Sequence, residues 1–273
     1  MGKSNVRKPV VAGQFYPSNR QQLEHQLGSF INKKADKINA IACMLPHAGY
    51  IYSGEVAGMT VSRLKIKNTI ILIGPNHTGR GAPFSIMTEG SWQTPLGDVT
   101  INTELATQIL NKSHYLKDDP LAHIDEHSLE VELPFLQFCK EKFEIIPITI
   151  LSENFKDLKN LGQEIGSIIK ELKLADSTLI IASSDMTHYE SQEQASKKDH
   201  EALTAIKALD ENALFEKINQ YDISMCGKAP VITTIVAAKI LGAEHAQVTG
   251  YQTSAKASKD TSSVVGYAGV IIY

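Results

Sequence analysis

The 273-residue sequence has few cysteines, little excess charge and no hydrophobic run long enough to cross a membrane. Its three cysteines, Cys43, Cys139 and Cys226, are an odd number at irregular spacing, which argues against a disulfide framework and is typical of a reducing compartment. The formal net charge of −3 provides no basic surface for nucleic acid. We therefore expect a cytoplasmic protein that acts neither on nucleic acid nor in a membrane.

The first residues lack targeting signals. Met1 to Arg7 contains no apolar stretch of the kind that a secretion signal needs, and Val6 stands where the myristoylation pattern has Ser or Thr. Neither secretion nor this lipid anchor is expected.

The hydrophobic pattern predicts one α/β domain that covers residues 1–273. Hydrophobic residues make up 42% of the chain, enough for a full core. Short runs rich in Ile, Val and Leu alternate with helical stretches, which is typical of a mostly parallel central sheet flanked by helices, with some antiparallel strands. Strands are predicted at 41–45, 69–74, 84–88, 99–102, 144–151, 178–183, 246–253 and 264–272. Helices are predicted at 20–32, with Ser18 as N-cap, and at 54–64, 104–111, 126–140, 155–172, 194–209, 211–220 and 229–241. Residues 92–98 are predicted to form a turn between two shorter strands.

Three of the apolar runs lead directly to a histidine. The runs that begin at Ile41, Thr69 and Thr178 are followed by His47, His77 and His188. Because ligands of parallel sheets gather beyond the carboxyl ends of the strands, three imidazoles are expected to converge on one crevice.

His47 and His77 are the strongest metal-ligand candidates. Both follow a strand in an irregular loop with Pro and Gly, where the backbone can approach a ligand closely. His188 lies three residues after Asp185, and either residue is a candidate acid or base. The alternative for that pair is an N-capping aspartate and a surface histidine.

Cys226 is the third candidate ligand, because it lies on a loop that enters a helix. A thiol at a helix start is expected to have a lowered pKa, which suits a nucleophile or a metal ligand; the alternative is a small buried hydrophobe. Cys43 and Cys139 lie within an apolar strand and an apolar helix face, where they are expected in the core.

A rival motif occurs at His123, Glu126 and His127. These residues match the inverted zinc-peptidase pattern H-x-x-E-H, in which two histidines on one helix face hold zinc and the glutamate is the general base. The stretch follows Asp119-Pro120, and no later carboxylate ligand is evident. A zinc hydrolase is therefore a minor alternative.

Six ordered motifs spanning nearly the whole chain resemble the Memo family. They are Ala12-Gly13-Gln14-Phe15-Tyr16-Pro17, Pro46-His47-Ala48-Gly49-Tyr50-x-Tyr52-Ser53-Gly54, Gly74-Pro75-Asn76-His77, Glu126-His127-Ser128-x-Glu130, Ser183-Ser184-Asp185-Met186-x-His188-Tyr189 and Met225-Cys226-Gly227.

The resemblance implies a fold similar to the LigB-like class III extradiol dioxygenases and a metal pocket. Carried over by motif, His47, His77 and Cys226 match the metal ligands, and His188 matches the acid/base histidine with Asp185 beside it. His127, Phe15 and Tyr50 are expected to support the pocket. The dioxygenases have a carboxylate where this chain has a thiolate, and sulfur favours copper or zinc or alters the properties of iron. We expect iron or copper, with zinc as a further option.

Two classes of function follow from these expectations. The first is a metal-dependent oxidoreductase, in which His188 moves a proton near the metal. The second is a binding or adaptor protein, because eukaryotic Memo relatives are associated with phosphotyrosine-peptide signalling. The expected ligand is thus a small molecule or a peptide. Prokaryotic relatives are often encoded beside a radical-SAM protein, which suggests a partner in a modification pathway.

Overall fold

The runs of branched aliphatic residues form the centre of one large sheet in the computed structural model, which describes residues 6–273. The strands are β1 Val6–Arg7, β2 Ala42–Leu45, β3 Thr69–Pro75, β4 Phe84–Ile86, β5 Ser91–Thr94, β6 Gly97–Thr100, β7 Lys117–Asp118, β8 Glu144–Ile150, β9 Thr178–Ser183, β10 His188–Glu190, β11 Ala246–Thr253 and β12 Val264–Ile272. The helices are α1 Arg20–Phe30, α2 Tyr50–Ser62, α3 Thr103–Lys112, α4 Leu121–Ile124, α5 Leu133–Cys139, α6 Phe155–Glu171, α7 Gln192–Lys207, α8 Glu211–Tyr221, α9 Lys228–Ile240 and α10 Ala255–Ser258, with a 3-10 turn at Glu130–Glu132. Most of the segment discussed above for targeting signals, residues 1–5, lies outside the described residues.

Four parallel strands, in the order β2-β9-β3-β8, make up the middle of the large sheet. Antiparallel strands extend it on both sides: β12 pairs with β2, β10 and β11, and β4 pairs with β8. This confirms the predicted α/β class with a mostly parallel centre. β1, β5 and β6 form a second, smaller sheet in the order β1-β5-β6, which contacts β8 of the large sheet through β6.

The strand order brings the predicted site residues to one edge. β9 lies between β2 and β3, with Leu45 opposite Ser183 and Ile73 opposite Ala182. Since all three strands run in the same direction, the segments that follow them leave the sheet side by side.

Two groups of helices cover the large sheet. α6 packs along α9, and α9 packs on β9, β3 and β2. α1, α2 and α5 form the other group, in which α2 packs on β11, β12 and β2. The close approach of α1 and α2 depends on glycine, because a Cβ at Gly58 would lie 2.5 Å from Phe30 Cβ.

Several predicted boundaries were wrong for identifiable reasons. Asn19, rather than Ser18, caps α1 by accepting from the Gln22 N–H, and the helix ends at Phe30. The predicted helix 126–140 is helical only from residue 130, because the Glu126 carboxylate instead accepts from the backbone N–H groups of His77 and Ser128. α5 then begins at Leu133, with Pro134 in its first turn.

The predicted turn at 92–98 was also too long. Trp92 and Thr94 are buried at alternate positions of β5, so only residues 95–96 connect β5 to β6. The partner of β5 in this hairpin is therefore β6, while Phe84–Ile86 belongs to the large sheet. Over residues 6–273, no helix has both the length and the apolar character needed to span a bilayer.

Substituting Gly58 tests the contact between α1 and α2. We expect Gly58→Ala to lower the free energy of unfolding by about 1–3 kcal/mol, because the added methyl overlaps Phe30 in a packed core. Gly28→Ala is the matched control, since its Cβ would meet only Phe138 Cζ at 3.8 Å. It should stabilise α1 by about 0.5–1 kcal/mol. Urea unfolding of both variants measures this, and a Gly58→Ala protein as stable as wild type would contradict the packing argument.

Candidate metal site

A cavity of about 740 Å³ opens at the carboxyl edge of β2, β3 and β9. This volume is in the range of small-molecule sites. Its floor carries histidines and a cysteine, and its walls carry aromatic and aliphatic side chains. The lining residues are Gln14, Phe15, His47, Ala48, Gly49, Ile51, Tyr52, His77, His127, Asp185, His188, Tyr189, Ser224, Cys226, Val265 and Tyr267.

His47 is held from both its backbone and its ring. Its backbone N–H donates to Asp185 Oδ1 at 2.8 Å, and its Nδ1 lies 2.9 Å from the Ser183 hydroxyl. With Nδ1 occupied, Nε2 faces Cys226 Sγ at 3.3 Å. Burial, followed by the neighbouring His77 and His127, lowers the pKa of His47 well below its usual range. The ring is therefore neutral, as a metal ligand must be.

His77 is oriented by a buried carboxylate. Glu126 accepts from the His77 backbone N–H, from its Nδ1 at 3.0 Å and from the Ser128 N–H at 2.7 Å. Burial alone raises the pKa of Glu126, but these hydrogen bonds and the imidazole charge outweigh it and hold the pKa at about 2. Burial likewise depresses the pKa of His77, but Glu126 overcomes this and raises it above its usual value. A carboxylate behind a histidine leaves Nε2 free as a ligand.

Cys226 completes a group of three possible ligands. The ligand atoms of His47, His77 and Cys226 all lie within 4.8 Å of one another. The loop approaches β9 closely at Gly227, where a Cβ would lie 2.3 Å from Ser184 Cβ. The expected lowering of the thiol pKa was wrong: burial, and then the nearby Asp185, raises the pKa of Cys226. A bound cation reverses this preference by stabilising the thiolate.

His188 and Asp185 lie in the same cavity but are held by different partners. His188 Nδ1 donates to the Ser224 carbonyl at 2.9 Å, so Nε2 carries the lone pair. Burial lowers the pKa of His188, which leaves it a neutral base. Asp185 accepts from the backbone N–H groups of His47 and Ala48, and burial nevertheless raises its pKa to about 7. It therefore fixes the His47 loop and is neither a helix cap nor a hydrogen-bond partner of His188.

The three residues expected to support the pocket occupy different positions. His127 stacks on His77 with 4.9 Å between ring centroids, and Phe15 meets His127 edge-on at 5.0 Å. Both line the cavity. Tyr50 lies beneath it, where its hydroxyl donates to the Val131 carbonyl at 2.7 Å. Tyr50 therefore supports the pocket from the core.

The zinc-peptidase arrangement does not form. His123 is in the short helix α4, whereas Glu126 and His127 follow it outside any helix, so the three do not share a helix face. His123 is fully buried, and neither of its ring nitrogens has a hydrogen-bond partner among the described residues. Burial lowers its pKa to about 3. Glu126 has the different task of orienting His77.

The sequence analysis missed several residues that hold the site together. Buried Glu130 pairs with Arg7 and accepts from the backbone of Val10 and Val11 and from the Tyr16 hydroxyl, which anchors the segment that carries Phe15. Acidic residues alternating with Leu129, Val131 and Leu133 were a signal for buried carboxylates. No signal pointed to Arg7. Its role depends on a contact 123 positions away in the chain.

Comparison with known proteins finds relatives over nearly the whole chain. The family model described as "Memo-like protein" matches residues 7–271. A MEMO1 family protein of Methanopyrus kandleri is 40% identical, covering 97% of this chain and 98% of its own, and one of Aquifex aeolicus is 41% identical over the same shares. The chain belongs to the Memo family. An uncharacterized Escherichia coli K12 protein of known structure aligns with this Memo protein at a TM-score of 0.56 and 11% identity, covering 85% and 99% of the two chains, which shows a shared fold.

The Glu126–His77 pair is expected to contribute most to the free energy of unfolding in mild acid. Ionised Glu126 stabilises the fold fully above pH 4.5, and this contribution is lost as the pH falls towards 2. Protonated His77 stabilises it fully below pH 6.5, and this contribution is lost as the pH rises through its higher folded pKa. We expect the unfolding free energies of the metal-free wild type and Glu126→Gln to differ most between these limits, by about 1.5–3 kcal/mol.

Urea unfolding across the pH range measures this difference. Asp125→Asn is the control, because the neighbouring Asp125 is in an exposed ion pair with Arg80 and its substitution should have a small effect at every pH. If Glu126→Gln changed the free energy of unfolding by the same amount at every pH, the pairing of an ionised Glu126 with protonated His77 would be contradicted.

Proposed function

We propose that this Memo protein is a metal-dependent oxidoreductase whose iron or copper is held by His47, His77 and Cys226. The proposal rests on the position of these three residues at the floor of a cavity, where the ligand atoms of two imidazoles and one thiol lie within 4.8 Å of one another. Such a donor set suits iron, copper or zinc better than magnesium or calcium, which prefer oxygen ligands.

The donors fit a metal in their orientation as well as their chemistry. Hydrogen bonds to Ser183 and Glu126 occupy the Nδ1 atoms of His47 and His77, so both rings have Nε2 available. Orientation of ligand histidines by such partners is a general feature of metal sites. A redox-active metal held here would supply electron transfer between a substrate and dioxygen.

The remaining cavity residues would bind the substrate and move its proton. His188 has a free Nε2 on a ring fixed by Ser224, which suits it to accept a proton from a substrate hydroxyl. Phe15, Tyr52 and Tyr267 line the walls, so an apolar or aromatic substrate body would be covered and shielded from water.

Metal content and cobalt binding test the ligand assignment. We expect protein purified without a His-tag to contain near-stoichiometric iron or copper by elemental analysis, and His47→Ala and Cys226→Ser to lose it. Co(II) added to metal-free protein should give a thiolate charge-transfer band, because Cys226 is the sulfur donor. That band should be absent in Cys226→Ser. His188→Ala should keep the metal, since its ring is not in the ligand group.

Oxygen uptake by iron-loaded protein, with catechol as the probe, separates binding from turnover. We expect His47→Ala to abolish uptake, and His188→Ala to slow it by roughly 10²–10⁴-fold, as for loss of a general acid or base. His114→Ala is the control, because His114 is exposed and pairs with Glu164 at a different surface cavity. Metal content or uptake that survives unchanged in His47→Ala would contradict the proposal.

A second candidate function, peptide binding, is favoured by the apolar rim of the cavity. Ile51 is 67% exposed and Tyr189 is 79% exposed. Tyr189 also has a φ of +61°, a strained value for a residue with a side chain, and such strain clusters at binding sites. Recognition of a phosphate group on the peptide is not supported, because no Lys or Arg within residues 6–273 lines the cavity. Phosphopeptide sites are typically built around Arg.

A tyrosine-containing peptide and its phosphorylated form test this candidate by calorimetry. If the protein is an adaptor, the Cys226→Ser variant should bind the peptide as tightly as wild type does, because no metal is required. The unphosphorylated form should bind at least as well as the phosphorylated one, since the described part of the chain places no Lys or Arg in the cavity lining. Preference for the phosphorylated form would contradict this view of the cavity, and binding lost with the metal would assign the peptide to the metal site.

Two further expectations remain part of this proposal. Cooperation with a radical-SAM protein rests on the family resemblance, and a cytoplasmic location rests on the scarcity and spacing of the cysteines.

A further inference from the structure

Ser183, the last residue of β9, lies where three hydrogen bonds meet behind the metal site. Its Oγ is 2.9 Å from His47 Nδ1, 2.7 Å from the Ser128 carbonyl and 3.0 Å from Glu132 Oε1. All four residues are at most 2% exposed. The protein itself must therefore supply every hydrogen in this cluster.

The number of protons that each group can donate fixes the donor in each of the three hydrogen bonds of Ser183. A serine hydroxyl can donate only once, and the Ser128 carbonyl can only accept, so the Ser183 proton points to Ser128. The other two bonds must then be donated to Ser183. His47 donates through Nδ1–H, which leaves the lone pair on Nε2, and Glu132 donates through a carboxyl O–H.

The surroundings of Glu132 agree with a protonated carboxyl. Its second oxygen, Oε2, is buried and has no hydrogen-bond partner among residues 6–273. Glu126 and Glu130 are equally buried but face His77 and Arg7 respectively. Burial raises the pKa of Glu132 well above its usual value, and the charge of Asp185 adds to it.

We propose that Glu132 is a positioning residue: a neutral carboxyl that donates to Ser183 and thereby holds His47 in the tautomer whose Nε2 faces Cys226. Glu132 touches neither the cavity nor a ligand atom, so it acts through Ser183. Its effect on metal affinity rests on the function proposed above, whereas the protonation state and the tautomer do not.

The first experiment uses metal-free wild-type protein with ¹³C-labelled glutamate carboxyl groups and ¹⁵N-labelled histidine. We expect the infrared band of a protonated glutamic acid at neutral pH, absent in Glu132→Gln. Labelling only glutamate keeps Asp185 from contributing. NMR of the histidine ring nitrogens should show His47 protonated at Nδ1, with His47→Ala used for assignment.

Variants then test whether the chain of hydrogen bonds sets the tautomer. Ser183→Ala and Glu132→Leu should give a mixture of His47 tautomers and weaken Co(II) binding, Ser183→Ala by roughly 10–100-fold. Glu132→Gln should preserve both properties, because its amide N–H can still donate to Ser183. Thr178→Val is the control: it removes from the same strand a buried hydroxyl that has no hydrogen-bond partner in the described part of the chain, and it should change neither property.

Clear outcomes would overturn the proposal. If wild-type protein lacks the glutamic acid band, or if its His47 carries the proton on Nε2, Glu132 does not have this role, whatever the variants do. Since both measurements need no variant to fold and no metal, they are independent of the proposed function. Absence of Co(II) binding by a wild-type protein that shows the expected tautomer would overturn only the metal function.

Discussion

The burial of three glutamates within one short segment is the constraint on which the site depends. Glu126, Glu130 and Glu132 have no exposed surface, and a buried carboxyl group is tolerated only with compensating hydrogen bonds or charges. Their partners lie on the His77 loop, on the N-terminal segment and at the end of β9. Satisfying the three acids therefore ties three distant parts of the chain around one cavity. Since removing one partner leaves a buried group uncompensated, the arrangement is cooperative.

The same residue type takes on different electrostatic roles here because its partners differ. Glu126 faces an imidazole and two backbone N–H groups, which keep it ionised in spite of burial. Glu132 faces one hydroxyl and the negative environment of Asp185, and burial then favours its protonated form. The result places a negative charge behind His77 and a neutral group behind His47. Environment, rather than residue type, assigns such roles in enzyme sites generally.

The sequence was sufficient for the elements that depend on local pattern and insufficient for those that depend on distant contacts. Strands β9 and β12, which are rich in branched residues, have their predicted bounds, and so does the more polar strand β11. The convergence of His47, His77 and Cys226 could be expected from strand ends and family motifs. The segment from residue 126 was misjudged because its conformation follows from carboxylates that bond to residues far away in the chain. The thiol pKa was misjudged for a similar reason, since burial in the folded chain outweighs the position before α9.

These charges imply that occupancy of the site is coupled to protons. Without a cation, burial keeps Cys226 as a thiol, whose Sγ lies 3.3 Å from His47 Nε2 and 3.7 Å from the Asp185 carbonyl, and His47 is neutral. Binding of a cation would require only the thiol and any protonated His77 to lose a proton, because His47 is already in the ligand form. The two imidazoles would thus contribute differently to cation binding. His47 is preorganised by burial and by Ser183, whereas His77 would release its proton as a cation binds, with Glu126 still ionised beside it. A cation that binds at this site would release protons, so its affinity would fall in acid, and the geometry of the site is fixed in advance by the buried glutamates.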